Sequence, residues 1–201
     1  MNCIQPKQSS SPQAPQQKAW RRVAAMCLLI VSLAACDKPA APAAPQLVEG
    51  QAFPPFMLDF ISGENDAAQS LHGKMLVLNI WATWCPPCRR EMPDLDRLSK
   101  TLDPKRFAVI GLSTDDDALL ASEFLAQNGI TFTNFLDQNG KMSRQLGLQV
   151  YPETFVIAPD RTLVRRMTGL HDWSSPDMVS MLEGLYQAQQ SKNGERTNVR
   201  K

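Results

Sequence analysis

Residues 75–80 (Met-Leu-Val-Leu-Asn-Ile) are apolar but for Asn79 and rich in strand formers, and residues 88–102 then carry apolar positions at helical spacing. The change of period falls at Cys85. The same alternation repeats downstream: 106–113 predicts a second buried strand, and 118–128 a helix stopped by Gly129. A strand–helix–strand unit of this kind implies a parallel pair with a right-handed crossover. Residues 132–136 predict a strand, 137–140 a turn and 141–146 a short helix. Residues 154–158 and 163–168, joined across Pro159-Asp160-Arg161, predict a hairpin. Ser175 and Pro176 cap a last amphipathic helix that runs to about residue 190, and the polar residues 191–201 are expected to be a disordered tail. Upstream, 53–60 predicts a first strand, 62–65 a turn, and a second short strand precedes 71–74. The pattern is that of an α/β protein.

The N-terminal part reads differently. Residues 1–22 are polar and basic, and the apolar run 23–35 is shorter than the ~20 residues a spanning helix needs. It predicts the hydrophobic region of a signal peptide. Residues 33–36 (Leu-Ala-Ala-Cys) resemble a bacterial lipobox, in which Cys36 would receive diacylglycerol, and Asp37 resembles the signal that keeps a lipoprotein on the inner membrane. Residues 39–45 are a proline/alanine spacer, extended at ~3 Å per residue, so the domain would stand roughly 30 Å from the lipid. The expected organisation is a lipoprotein signal peptide at 1–35, an anchored spacer at 36–49, a folded domain at 50–190 and a tail at 191–201.

Composition narrows the class. The 201 residues are 43% hydrophobic and 20% charged, which suits one domain with a full core and excludes a disordered chain. The net charge of +1 hides an asymmetry: Lys7, Lys18, Arg21 and Arg22 in the leader meet no acid, so the remainder is net acidic. No basic face for nucleic acid is implied. Of five cysteines, Cys3 and Cys27 lie in the leader and Cys36 ends it, leaving Cys85 and Cys88 as thiols of the folded part.

Two thiols separated by two residues at a strand-to-helix junction can close a small disulfide ring. The helix N-terminus favours a thiolate on the first of them. Cys85 is therefore expected to be the exposed attacking sulfur, and Cys88, one turn in, the resolving one. Pro86 and Pro87 suit a first turn, where a missing N–H has no intrahelical partner, and Pro87 leaves the Cys88 backbone as the main donor to the Cys85 sulfur. A structural staple is disfavoured, since a bridge across two residues constrains the unfolded chain little. A zinc half-site would need a second ligand pair. His72 and His171 are isolated, so no metal site is expected.

Residues 78–93 (Leu-Asn-Ile-Trp-Ala-Thr-Trp-Cys-Pro-Pro-Cys-Arg-Arg-Glu-Met-Pro), with Tyr-Pro-Glu-Thr-Phe at 151–155, resemble the active-site segments of thioredoxin-like proteins of the TlpA/ResA/DsbE branch. Asn79 in place of the buried aspartate of cytosolic thioredoxins, Glu91 three residues past the second cysteine, and the export leader point to this branch. The resemblance implies a thioredoxin-like fold: a central mixed sheet flanked by helices, with an added N-terminal β-hairpin. It implies that Pro152 is a cis-proline facing the disulfide, with the Tyr151 peptide group open to pairing with an extended partner segment. Trp84, Pro86, Pro87, Tyr151, Pro152 and Glu153 then form the substrate-binding surface, and Trp81 belongs to the core. Glu91 lines the site and handles protons, with Glu153 as its competitor, because Asn79 cannot exchange one. The family implies an extracytoplasmic, membrane-anchored protein-disulfide reductase without a cofactor, on the periplasmic face of the inner membrane. Its partners would be apocytochrome c or copper-assembly proteins, and a membrane thiol reductant of the DsbD/CcdA type would recharge it. The alternatives are a copper metallochaperone using Cys85, Cys88 and His171 as ligands, and a disulfide-forming oxidant.

Overall fold

A computed structural model of the chain describes residues 47–54, 59–60 and 71–198. In chain order it contains β1 (Asp59–Phe60), β2 (Met75–Trp81), α1 (Pro86–Thr101), β3 (Phe107–Ser113), α2 (Ala118–Gln127), β4 (Thr133–Leu136), a 3₁₀ turn (Gln138–Gly140), α3 (Lys141–Leu146), β5 (Glu153–Ile157), β6 (Leu163–Thr168) and α4 (Pro176–Asn198). The six strands form one sheet in the order β1-β4-β3-β2-β5-β6. β2, β3 and β4 run parallel, while β1, β5 and β6 pair antiparallel with their neighbours, so the sheet is mixed as expected.

β2 lies between β3 and β5 and is buried on both faces. That position explains its apolar run, because covering both faces removes the polar alternation of a half-exposed strand. Met75, Val77 and Trp81 pack with Met92, Leu95 and Leu98 of α1, Phe124 and Leu125 of α2 and Leu182 of α4. Leu76, Leu78 and Ile80 point the other way, onto Phe53, Phe155, Met142 and Leu146. Each fully buried Leu or Phe contributes about 1.5–3 kcal/mol. These two clusters therefore fix the frame on which the ends of β2 and β5 are held.

Gly111, in the middle of β3, is required by a polar crossing. The Trp81 Nε1–H donates to Asn134 Oδ1 of β4 (2.9 Å), and a Cβ at position 111 would stand 1.9 Å from that oxygen. The indole hydrogen bond can span the sheet only where a side chain is missing.

Two expectations need amendment. The disordered tail expected from residue 191 is helical to Asn198. Once α4 is nucleated against the core, each further residue gains a hydrogen bond at low cost. The N-terminal hairpin is seen only in part. Asp59 and Phe60 pair with Leu136 and Phe135, while the expected turn at 62–65 and second strand before residue 71 lie outside the described residues, as do the leader, Cys36 and the proline/alanine spacer.

Candidate active site

β2 ends at Trp81, the chain bends through Ala82, Thr83 and Trp84, and α1 begins at Pro86. Cys85 is the residue that caps the helix. It is extended (φ −99°, ψ 102°), and its sulfur accepts the Cys88 N–H at 3.3 Å. Pro86 and Pro87 fill the first two helical positions, so Cys88 supplies the expected donor. Cys85 and Cys88 are joined by a disulfide with Cα atoms 5.3 Å apart. Cys88 is fully buried, and Cys85, expected to be exposed, is only 4% exposed. The reason is packing: the bend carries both cysteines into the core cluster beside Trp81 and Ala82.

In the register of β2 against β5, Ile80 stands opposite Glu153. The bend that carries Cys85 and the loop that precedes β5 therefore share one end of the sheet. The Tyr151–Pro152 peptide bond in that loop is cis. Trp84 is 60% exposed, and its ring meets the Tyr151 ring edge-on at 5.2 Å. Gly169, after β6, donates its N–H to the Pro152 carbonyl (2.8 Å). Trp84 and Tyr151 thus meet at the end of the sheet that carries the bridge, with Pro86 and Pro87 on the first turn of α1 and Pro152 next to Tyr151.

Glu91 faces inward from α1 and is 1% exposed. Asn79 Nδ2 donates to its Oε1 (2.7 Å), and Trp173 Nε1 (3.0 Å) and the His171 N–H (3.4 Å) donate to its Oε2. Burial pushes its pKa above the ordinary carboxylate value, and the hydrogen bonds from Trp173, Asn79 and His171 oppose that rise without cancelling it. Asn79, 0% exposed, also donates to Thr154 Oγ1 (3.0 Å). This link joins β2, α1 and β5 under the dithiol.

Glu153 is separated from that network by its partner. It is buried and ion-paired with Arg166 of β6, with Thr168 Oγ1 at 3.3 Å. Arg166 Nη1 in turn reaches the Leu47 carbonyl (3.4 Å). The pairing makes Glu153 first of all a structural acid. Arg166→Ala is expected to leave it buried without a cation and to cost about 3 kcal/mol, read as a lowered denaturant midpoint at unchanged slope.

His171 is half-buried in the loop after β6, where its ring meets Trp173 edge-on (5.6 Å) and its backbone turns to Glu91. Among the described residues no three His, Cys, Asp or Glu side chains cluster as a metal site, so the ligand set of the copper alternative is not assembled. Trp173 is the site residue that sequence reasoning misses, although a lone tryptophan in the polar stretch 171–175 was a usable signal.

A thioredoxin-like sheet that presents a Cys-x-x-Cys disulfide at a helix N-terminus beside a cis-proline defines a class, the dithiol–disulfide exchange proteins. The sequence profile of the redoxin family matches residues 48–182, and the chain belongs to that family. It is 35% identical over 112 residues to the thioredoxin-like protein YneN of Bacillus subtilis, covering 54% of this chain and 65% of that one. It is 30% identical over 120 residues to the thiol–disulfide oxidoreductase ResA of Bacillus thuringiensis, covering 60% and 69%. The chain thus spans about two thirds of these relatives. The crystal structure of a candidate thiol:disulfide interchange protein DsbE from Chlorobium tepidum superposes with a TM-score of 0.59 at 26% identity, over 71% of this chain and 98% of that one.

Proposed function

We propose that the chain is an extracytoplasmic thiol–disulfide oxidoreductase that reduces disulfides in specific partner proteins, with Cys85 attacking and Cys88 resolving. The observation that carries this reading is the Cys85–Cys88 disulfide at the start of α1, beside the cis Tyr151–Pro152 bond. In the working direction, the Cys85 thiolate attacks a partner disulfide and forms a mixed disulfide as the partner's other sulfur leaves as a thiolate. The Cys88 thiolate then attacks Cys85, which closes the bridge and releases the reduced partner. Two electrons pass to the partner, and a membrane thiol reductant of the DsbD/CcdA type restores the dithiol. Trp84, Tyr151, Pro86, Pro87 and cis-Pro152 receive an extended partner segment, of the kind presented by apocytochrome c or a copper-assembly protein. Glu91 handles the proton. Cys36, acylated after removal of the leader, would hold the domain on the periplasmic face of the inner membrane; no described helix is long and apolar enough to cross a membrane.

The direction of electron flow turns on how far the reduced Cys85 thiolate is stabilised, since a strong oxidant is one that stabilises its reduced form. Equilibration against glutathione or dithiothreitol couples is expected to give a reduction potential nearer the about −270 mV of thioredoxin than the about −120 mV of DsbA. A value near the latter would make the protein an oxidant.

A further inference from the structure

We infer that Asp115 is a positioning residue for the dithiol, holding the bend at Thr83 from which Trp84 and Cys85 are delivered to the partner. Asp115 follows β3 and is 3% exposed. Its carboxylate accepts the Thr83 N–H on both oxygens (3.1 and 3.0 Å), the Thr83 hydroxyl on Oδ1 (2.6 Å) and the Ser113 hydroxyl on Oδ2 (2.7 Å). The Ser113 oxygen accepts the Asp115 N–H in return (3.1 Å), so the acid is itself held at both ends. The next peptide is fixed as well, with the Thr114 N–H on the Trp81 carbonyl (2.9 Å) and the Cys85 N–H on the Ala82 carbonyl (3.2 Å).

These contacts assign the two termini of the bend to different holders. Trp81 is fixed by the sheet and Cys85 by its place at the head of α1. Thr83 lies between them, outside any strand or helix, and its N–H and hydroxyl both go to the one carboxylate. A carboxylate suits the task because it offers acceptors only, and the three donors around it are Thr83 N–H, Thr83 O–H and Ser113 O–H. Thiol–disulfide exchange needs the attacking sulfur, the attacked sulfur and the leaving sulfur in line, so a loosened bend lowers the rate without removing a reacting atom. Trp84, directly between Thr83 and Cys85 and exposed against Tyr151, is released by the same loss. Asp115 thus acts on the chemistry through Thr83.

The inference rests on dithiol exchange at Cys85 and Cys88, and the wild-type protein tests that part alone: a wild type without turnover sinks the proposed function. With an active wild type, the second-order rate of reduction of an oxidised Cys-x-x-Cys peptide is measured for Asp115→Ala, Thr83→Val and the double variant, well below their unfolding midpoints. Asp115→Ala is expected to lose about tenfold or more. The double variant is expected to be no slower than Asp115→Ala, since Thr83→Val removes only a hydroxyl contact that Asp115→Ala already removes. Asp115→Asn, which keeps one acceptor, should recover part of the rate at an unfolding midpoint matched to Asp115→Ala. Should Asp115→Ala fail to fold, Thr83→Val and Asp115→Asn carry the comparison. Wild-type rates in the folded variants, or multiplicative losses in the double variant, would overturn the assignment.

Discussion

Cys88→Ala is expected to accumulate mixed disulfides with partner proteins in the cell, while Cys85→Ala accumulates none, and both lose turnover to the uncatalysed background. The asymmetry follows from position. Cys85 caps α1 and keeps the only exposure of the pair, whereas Cys88 is one turn inside and 0% exposed, out of reach of a partner's disulfide. Without Cys88 the mixed disulfide has no internal thiolate to break it, and it persists long enough to be isolated under acid quench. Without Cys85 the first bond cannot form. The slight exposure of Cys85, 4%, sharpens the test, because access then depends on the partner segment settling between Trp84 and the Tyr151–Pro152 loop. Non-reducing gels of the two variants, with the trapped proteins identified by mass, read the outcome. Equal trapping by both would reverse or abolish the division of roles, and the identities would name the substrate class.

How far the site could be read from the chain follows from which interactions are local. The strand of 75–81, the helix that starts beside Cys85 and the prolines between the thiols were legible because their signals lie within a few residues of one another. Period, cap and spacing agree there. Apart from the end of α4, which runs on to Asn198, boundaries missed by a residue or two, as hydrogen-bond assignments at frayed ends do. The Tyr151–Pro152 conformation came from resemblance alone, since most X–Pro bonds are trans. What stayed hidden depends on pairings across the sequence. Glu91 meets Trp173 across 82 residues and Arg166 meets Glu153 across 13, and Thr83 meets Asp115 across 32. No local rule says which of several acids turns inward. Helical spacing put Glu91 on the thiol face but left its depth open, and two nearby acids, Glu91 and Glu153, proved to differ in the partner each was given.

That difference in partners sets the expected behaviour of Glu91. A buried carboxyl with three neutral donors and no cation among its recorded partners is harder to ionise than in water, so its folded pKa lies above the ordinary value of 4.5. Between 4.5 and that raised value the folded state holds a proton that the unfolded chain has lost. Its contribution to stability is therefore complete below about pH 4.5 and is lost as pH rises through the raised folded value. Wild-type unfolding free energy should fall across that window relative to Glu91→Gln, which has no proton to lose. The glutamine should be accommodated by turning one amide: Asn79 Oδ1 is buried without a partner, and a rotated Asn79 would present it to the new side-chain N–H. Protonated Glu91 can use the same acceptor. For the chemistry the sign is opposite in sense, since an ionised Glu91 on the helix of both thiols disfavours the Cys85 thiolate. Glu91→Gln is expected to lower the Cys85 thiol pKa by about one pH unit and to shift the pH–rate profile of exchange the same way. Thiolate absorbance in the ultraviolet and pH-dependent alkylation of the reduced protein measure the thiol shift, and denaturant curves from pH 4 to 9 measure the stability difference. A thiol titration that Glu91→Gln leaves in place, and that Glu153→Gln moves, would transfer the proton to the acid beside Pro152.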